Sequence, residues 1–238
     1  MKKSNEFINY AHRGASEYAP ENTFLSFYLG VYMGANGIET DVQITKDNVL
    51  VLFHDDSLTR MTGEQGRICD YTFDELQSFW VQKQGLKDKI VKFEDFLVGF
   101  SKMDLTFAIE LKASNVAKPV ADMLKRFDIC DKVVVTSFKY EELLAFRKVA
   151  PEYKTGYLTQ DISTETLSKM KKDGISEFCP EAQFITKERV DLWHELGFNV
   201  RAWGVYDQNL MRSAFFAGVD GMTVNFPDKL TELLKKED

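Results

Sequence analysis

The chain has few of the residues that would make its chemistry easy to guess: three histidines, three cysteines and five prolines in 238 residues. Cys69, Cys130 and Cys179 are odd in number and widely spaced, with no CxxC. Neither a disulfide framework nor a zinc cluster is indicated, and a reducing compartment is expected. No HxH occurs, which disfavours a zinc amidohydrolase centre. Positive charge is in deficit as well, with a formal net charge of −7, so no nucleic-acid-binding face is expected, although a local basic pocket is compatible with this. No run approaches the length of a membrane span. The stretch "MKKSNEFINYAHRG" carries two lysines but no apolar segment of signal-peptide length, so a soluble, cytoplasmic protein without membrane insertion is expected. Linkers and low-complexity segments are missing too, which leaves one domain over residues 1–238.

What is present is enough apolar surface for a large core, at 44% hydrophobic residues in 27.4 kDa. Short β-rich runs alternate with amphipathic helical stretches, as in a parallel sheet wrapped by helices. The β runs are "FINYAH", "GIETDVQI", "VLVLFH", "LTFAIELK", "KVVVTSF", "YKTGYLT", "ISEFCPE", "FNVRAWGV" and "GMTVNF". Several helical stretches start at Ser, Thr or Asn and stop at Gly, as capping favours. One pair of β runs breaks the alternation, because only "TKDN" separates "GIETDVQI" from "VLVLFH". Four polar residues suit an antiparallel hairpin and are too few for a parallel crossover. Removing that return leaves eight strands, the number in a TIM (β/α)8 barrel, at a length near the roughly 250 residues typical of that fold. A doubly wound open sheet is the runner-up. If the turn pairs residue 44 with 49, Glu39 lies opposite His54 and Asp41 opposite Leu52.

Charged residues inside apolar runs need a reason. Glu39 and Asp41 lie two apart on one run and so share a face, as do Glu110 and Lys112 on another. His12, Arg13, Glu39, Glu110 and Lys112 all fall late in their runs, where a barrel carries its functional mouth. Three converging carboxylates suit a hard divalent cation, Mg²⁺ or Ca²⁺. Arg13 and Lys112 would complement a phosphate, and His12 and His54 could move protons as acid and base.

The segments "AHRGASEYAPENTFLSF", "GANGIETDVQITKDNVLVLFHDDSLTRMTG", "IELK", "TSF" and "GVDGMTVNFPD", in that order, resemble the glycerophosphodiester phosphodiesterase family over almost the whole chain. The resemblance implies a metal-dependent TIM barrel, a single catalytic domain, that cleaves a small-molecule glycerophosphodiester into glycerol 3-phosphate and an alcohol. It implies His12 and His54 as the acid/base pair, Glu39, Asp41 and Glu110 as metal ligands, and Arg13 and Lys112 on the phosphate. It suggests the glycerol 2-hydroxyl as first nucleophile, through a cyclic phosphate, with direct attack by water as the other route. Residues 55–91 would be the family's small insertion at the mouth; the alternative is a surface excursion carrying one helix, "TFDELQSFW".

Other readings accompany these. Each acid taken alone fits a strand-end carboxylate satisfied by a loop amide, and Arg13 and Lys112 could be ion-pair partners of the acids. Phe138 is expected in the core, Trp203 either in the core or against substrate, and His194 on the surface. Asp55 either orients His54 or caps a turn, and Thr59–Gly63 carry no assigned chemistry. Departures from the family pattern are a missing proline in "KIVKFEDFL", and Gly204 and Asn225 near the mouth; these bear on substrate preference. A lysophospholipase D-like activity on the same site and a non-catalytic phosphate- and metal-binding barrel are the alternative functions.

Overall fold

In the computed structural model of the protein, residues 7–237 are described; the expectation that no signal segment occupies the first six residues lies outside them. Among the described residues, no helix is long and apolar enough to cross a membrane.

Eight strands run parallel and close on themselves. They are β1 (Ile8–His12), β2 (Gly37–Ile44), β7 (Thr106–Leu111), β8 (Val133–Ser137), β9 (Lys154–Thr159), β10 (Glu177–Pro180), β11 (Asn199–Val205) and β12 (Gly221–Val224), with β1 paired to both β12 and β2. This is the expected TIM barrel, and closure excludes the open sheet. The outer faces of the strands are covered by α1 (Phe24–Tyr32), α4 (Phe93–Phe100), α5 (Ala117–Phe127), α6 (Tyr140–Val149), α7 (Thr164–Lys172), α8 (Lys187–Glu195), α9 (Gln208–Ala217) and α10 (Pro227–Glu237). Both faces of each strand are therefore buried, which is why runs such as "KVVVTSF" are almost continuously apolar and show no alternation.

Thr23, Ser163, Thr186 and Asp207 cap α1, α7, α8 and α9 through their side chains, and Gly218 ends α9 in the left-handed region. Phe27, Phe93, Phe96, Phe100 and Phe107 form a fully buried aromatic group between α1, α4 and the sheet. Each such ring contributes about 1.5–3 kcal/mol through burial.

The hairpin is present but shifted by one residue. The strand β3 (Leu50–Leu52) runs antiparallel to β2 with Ile44 opposite Leu50 and Val42 opposite Leu52, so the anticipated pairs Glu39–His54 and Asp41–Leu52 do not form. The cause is Asn48, at φ 63°, which adds a left-handed residue to the turn and lengthens the loop to Thr45–Val49, closed by Thr45 N–H to Val49 O at 3.0 Å. The strand then stops at Leu52, and residues beyond it follow their own path.

That path is the insertion, which leaves at β3 and returns at β6 (Val91–Lys92), antiparallel to β3. It contains α2 (Thr59–Thr62), α3 (Phe73–Leu76) and a hairpin of β4 (Val81–Lys83) and β5 (Leu86–Asp88). The expected helix "TFDELQSFW" shortens to the single turn α3. A separate apolar cluster of Leu58, Met61, Ile68, Leu76, Val81 and Ile90 packs on Val51 and Phe53, so the segment has a small core of its own.

Candidate active site

A cavity of about 250 Å³ opens at the C-terminal ends of the strands, with His12, Arg13, Glu39, His54, Glu110, Trp203 and Asn225 in its wall. The strand register brings the acids together. Asp41 pairs with Glu110 across β2 and β7, and His12 with Glu39 across β1 and β2; residues so paired share a face, and here that face is the barrel interior. Glu39, Asp41 and Glu110 are buried and each offers a carboxylate oxygen within 4.8 Å of the others. Lys112 Nζ stands 3.0 Å from Glu110 and Arg13 Nε 3.0 Å from Asp41 Oδ2. Asp41 is fully buried beside the cavity wall, and the Lys112 side chain is 18% exposed.

Three acids against two cations leave negative charge uncompensated. Burial, reinforced by Asp41, pushes the Glu39 carboxyl well above its ordinary range and that of Glu110 up to about 7. Asp41 goes the other way: burial would raise it, but Arg13, His54 and Lys112 hold it below the usual carboxylate range. The buried Asp41 Oδ1 accepts no hydrogen bond. An acid cluster of surplus charge, built wholly of oxygen donors, with one buried oxygen met only by Lys112 Nζ at 4.0 Å, fits a hard divalent cation.

Arg13 follows His12 at the end of β1 and adopts φ 55°, a left-handed conformation unusual for its residue type. The conformation is held from several sides: Arg13 N–H donates to Glu39 O at 2.9 Å, while Arg13 O accepts from Asn22 N–H at 3.0 Å and Ser26 Oγ at 2.8 Å. Gly14 has to be glycine, since a Cβ there would come within 2.4 Å of Ser26.

Both histidines are held through Nδ1. His12 Nδ1 lies 2.5 Å from Asn225 Oδ1, which also accepts from Ser16 Oγ, and His54 Nδ1 lies 2.6 Å from Asp55 Oδ1. With oxygen acceptors at Nδ1, each ring carries its proton there and leaves Nε2 bare. His12 Nε2 sits 3.9 Å from Glu39. Burial, with Arg13 nearby, pushes His12 down to about 3, and burial lowers His54 as well, so both rings rest neutral. Although the strand ends two residues earlier, His54 reaches the mouth because Gln43, buried on β2, donates through Nε2 to the backbone oxygens of His54 and Asp55.

One expectation changes here. Phe138 is 42% exposed and is no core residue: it stands edge-on to Trp203, with ring centroids 4.8 Å apart, in the cavity wall. Trp203 is fixed by Nε1–H to Cys179 O at 3.0 Å, next to a register shift between Ala202 and Val205 that turns the end of β11 into the mouth. His194, in α8, is one-third exposed and lies 2.9 Å from Asp220, at the opposite end of the barrel from the mouth.

Sequence reasoning missed Arg201, Glu21 and Arg60, and treated Asn225 only as a departure. Arg201 had a readable signal, a charge inside the apolar run "FNVRAWGV". It lies in the barrel interior, 1% exposed, between Glu177 at 3.2 Å and Thr223 at 2.8 Å. Glu21 sits in a loop and Arg60 on the single turn α2, both too short of regular structure for any periodicity to mark them.

Comparison with known proteins completes the description. Residues 12–229 match the Glycerophosphoryl diester phosphodiesterase family. The chain is 34% identical to the protein YqiK of Bacillus subtilis (strain 168), covering 96% of this chain and 98% of that one. It is 30% identical to a glycerophosphodiester phosphodiesterase of Bacillus altitudinis, over 94% of this chain and 96% of the relative. A phosphodiesterase from Oleispira antarctica, solved with the product sn-glycerol-3-phosphate, superposes with a TM-score of 0.87 at 23% identity, over 98% of this chain and 100% of that one.

Proposed function

This chain belongs to the glycerophosphoryl diester phosphodiesterase family, and from that premise we propose that it hydrolyses glycerophosphodiesters to glycerol 3-phosphate and an alcohol, with His12 and His54 as its proton carriers. The observation that carries this reading is the pair of imidazoles, each with Nδ1 held by an oxygen, in the same cavity wall as Glu39 and Glu110. Their partners differ, and the difference divides the work. His12 leans on the neutral amide of Asn225, which gives no support to an imidazolium at rest; it is the base that takes the proton from the attacking hydroxyl. His54 leans on the carboxylate of Asp55, which stabilises an imidazolium; with the substrate phosphate bound it is the acid that protonates the leaving alkoxide as the phosphorus–oxygen bond breaks.

Glu39, Asp41 and Glu110 would hold the divalent cation, Mg²⁺ or Ca²⁺. When bound, that ion polarises the phosphoryl oxygens and offsets their charge. Arg13, in the cavity wall, and Lys112, 3.0 Å from Glu110, supply positive charge beside the same oxygens. The working site is taken to be cytoplasmic and to lie in one barrel domain with the insertion at its mouth.

Release of glycerol 3-phosphate from a panel of glycerophosphodiesters, with chelator and with Mg²⁺ or Ca²⁺ restored, tests the reading. No release from any member under any ion sinks it. A second reading, lysophospholipase D-like cleavage, is favoured by the exposed aromatics Phe138 and Tyr206 at the cavity, 42% and 68% accessible. Faster turnover of a lysophosphatidylcholine than of glycerophosphocholine would select it.

A further inference from the structure

Thr59–Gly63 had no chemical role in the sequence, yet the structure places Arg60, on the single turn α2, at the centre of the charges around the site. Its guanidinium makes five hydrogen bonds. Nε and NH2 reach the two oxygens of Asp55 at 2.5 and 3.0 Å. NH1 and NH2 reach the two oxygens of Glu21 at 2.9 and 2.7 Å, and NH1 also meets Met61 Sδ at 3.0 Å. Both forks of the planar group are thus closed on carboxylates, the geometry in which Arg binds most specifically.

Those two carboxylates are the ones that hold cavity residues. Asp55 Oδ1 is the partner of His54 Nδ1 at 2.6 Å, and Glu21 Oε1 receives Arg13 NH1 at 2.9 Å. A continuous chain His54–Asp55–Arg60–Glu21–Arg13 results, closed from outside by a residue of the insertion. As an isolated surface pair, an arginine 47% exposed would contribute little. Here its removal leaves Glu21 and Asp55 without their shared counter-charge, each free to swing away from the side chain it orients. With all its N–H groups directed inward, Arg60 has no donor left for substrate.

Resting on the phosphodiesterase reading of the site, the geometry points to Arg60 as a positioning residue of the insertion, which fixes the His54 ring through Asp55 and the Arg13 guanidinium through Glu21. Folding of the insertion would then complete the site as well as shape its entrance.

The test is Arg60→Met and Arg60→Lys in the full chain, with Arg126→Met as control, since Arg126 pairs only with the exposed Glu94. With glycerophosphocholine as substrate, Arg60→Met is expected to lower kcat about 10- to 100-fold with KM changed less than about threefold. Lysine should recover little, because one ammonium cannot close both forks. The control should match the parent. A second readout needs no turnover. With three histidines in the chain, the imidazole signals are readily assigned by NMR, and the His54 Nδ1–H resonance should be lost or broadened in Arg60→Met while that of His12 persists. A rise in KM alone would make Arg60 a substrate ligand, full recovery by lysine would make it a plain counter-charge, and an unchanged His54 resonance would show that Arg60 does not hold the ring. Each overturns the inference. Should the parent protein cleave no diester, the functional reading fails, and the His54 resonance still decides the role of Arg60.

Discussion

Two clusters of buried charge sit one above the other in this barrel, and they are resolved in opposite ways. In the inner one, Arg201 is matched by Glu177, Thr223 and Cys179, with the Tyr10 ring 5.1 Å from the guanidinium. At the mouth, Glu39, Asp41 and Glu110 outnumber Arg13 and Lys112, and Asp41 Oδ1 has no hydrogen bond at all. A buried ion cluster that only supports a fold has every group answered, since an unanswered one costs several kcal/mol. A cluster left unbalanced, beside an inner one so fully matched, is reserved for something the chain itself does not supply.

The sharpest way to break this comparison is through activity. His12→Ala and His54→Ala should each lower turnover by about 10²- to 10⁴-fold with little change in Tm, as lost proton carriers do. If either variant turned over at the parent rate, the proton-carrier assignment would fall. The inner cluster should respond in the opposite sense. Glu177→Ala leaves the Arg201 guanidinium buried and unpaired, and chemical denaturation should show a loss of about 3–5 kcal/mol; a loss below about 1 kcal/mol would mean the two clusters do not differ as argued.

Next in size is the effect of pH on the metal-free protein. The Glu110 carboxyl is raised to about 7 in the folded chain, so its contribution to stability is fully present below the ordinary glutamate range and is lost as pH rises through about 7. His12, lowered to about 3, works in reverse: its contribution is present above the ordinary histidine range and is lost as pH falls toward 3. Glu110→Gln should therefore match the parent near pH 4.5 and exceed it at pH 8 in thermal unfolding without metal. Calorimetry should show Mg²⁺ or Ca²⁺ binding to the parent and weaker binding to Glu110→Gln and Glu39→Gln; unchanged affinity in both would assign the carboxylates to structure. The smallest effect is expected from His194→Ala, remote from both clusters. It should cost about 1 kcal/mol through its bond to Asp220 and leave kcat unaltered.

How much of this was legible in the sequence follows from where each signal is carried. The eight barrel strands, the hairpin return and the three acids were readable because short apolar runs between helical stretches, and charge placed inside such runs, are local properties of a strand. The register of β2 with β3 was not, because one left-handed Asn48 shifts the pairing and no periodicity announces it. The hairpin of β4 and β5 escaped because "VQKQGLKD" is polar on both faces, with Gln82, Leu86 and Lys87 exposed. Phe138 was misplaced because an aromatic residue ending a β run has the same sequence signature whether it turns into the core or over the mouth. The Arg13–Glu21–Arg60–Asp55 contacts join loops far apart in the chain, and only the closed barrel brings them together.

The insertion enters and leaves the barrel through a single doorway. Leu52 on β3 faces Val91 on β6, so residues 53–90 are strung between two adjacent points. Replacing the part of it beyond Asp55, residues 56–90, with a longer or shorter one changes no barrel strand and, given how slowly closure entropy grows with loop length, adds only modest cost. The barrel can thus accept the segment as an exchangeable cassette, on one condition: the replacement must bring its own guanidinium to Glu21 and Asp55, or a new entrance is acquired with a slack histidine behind it.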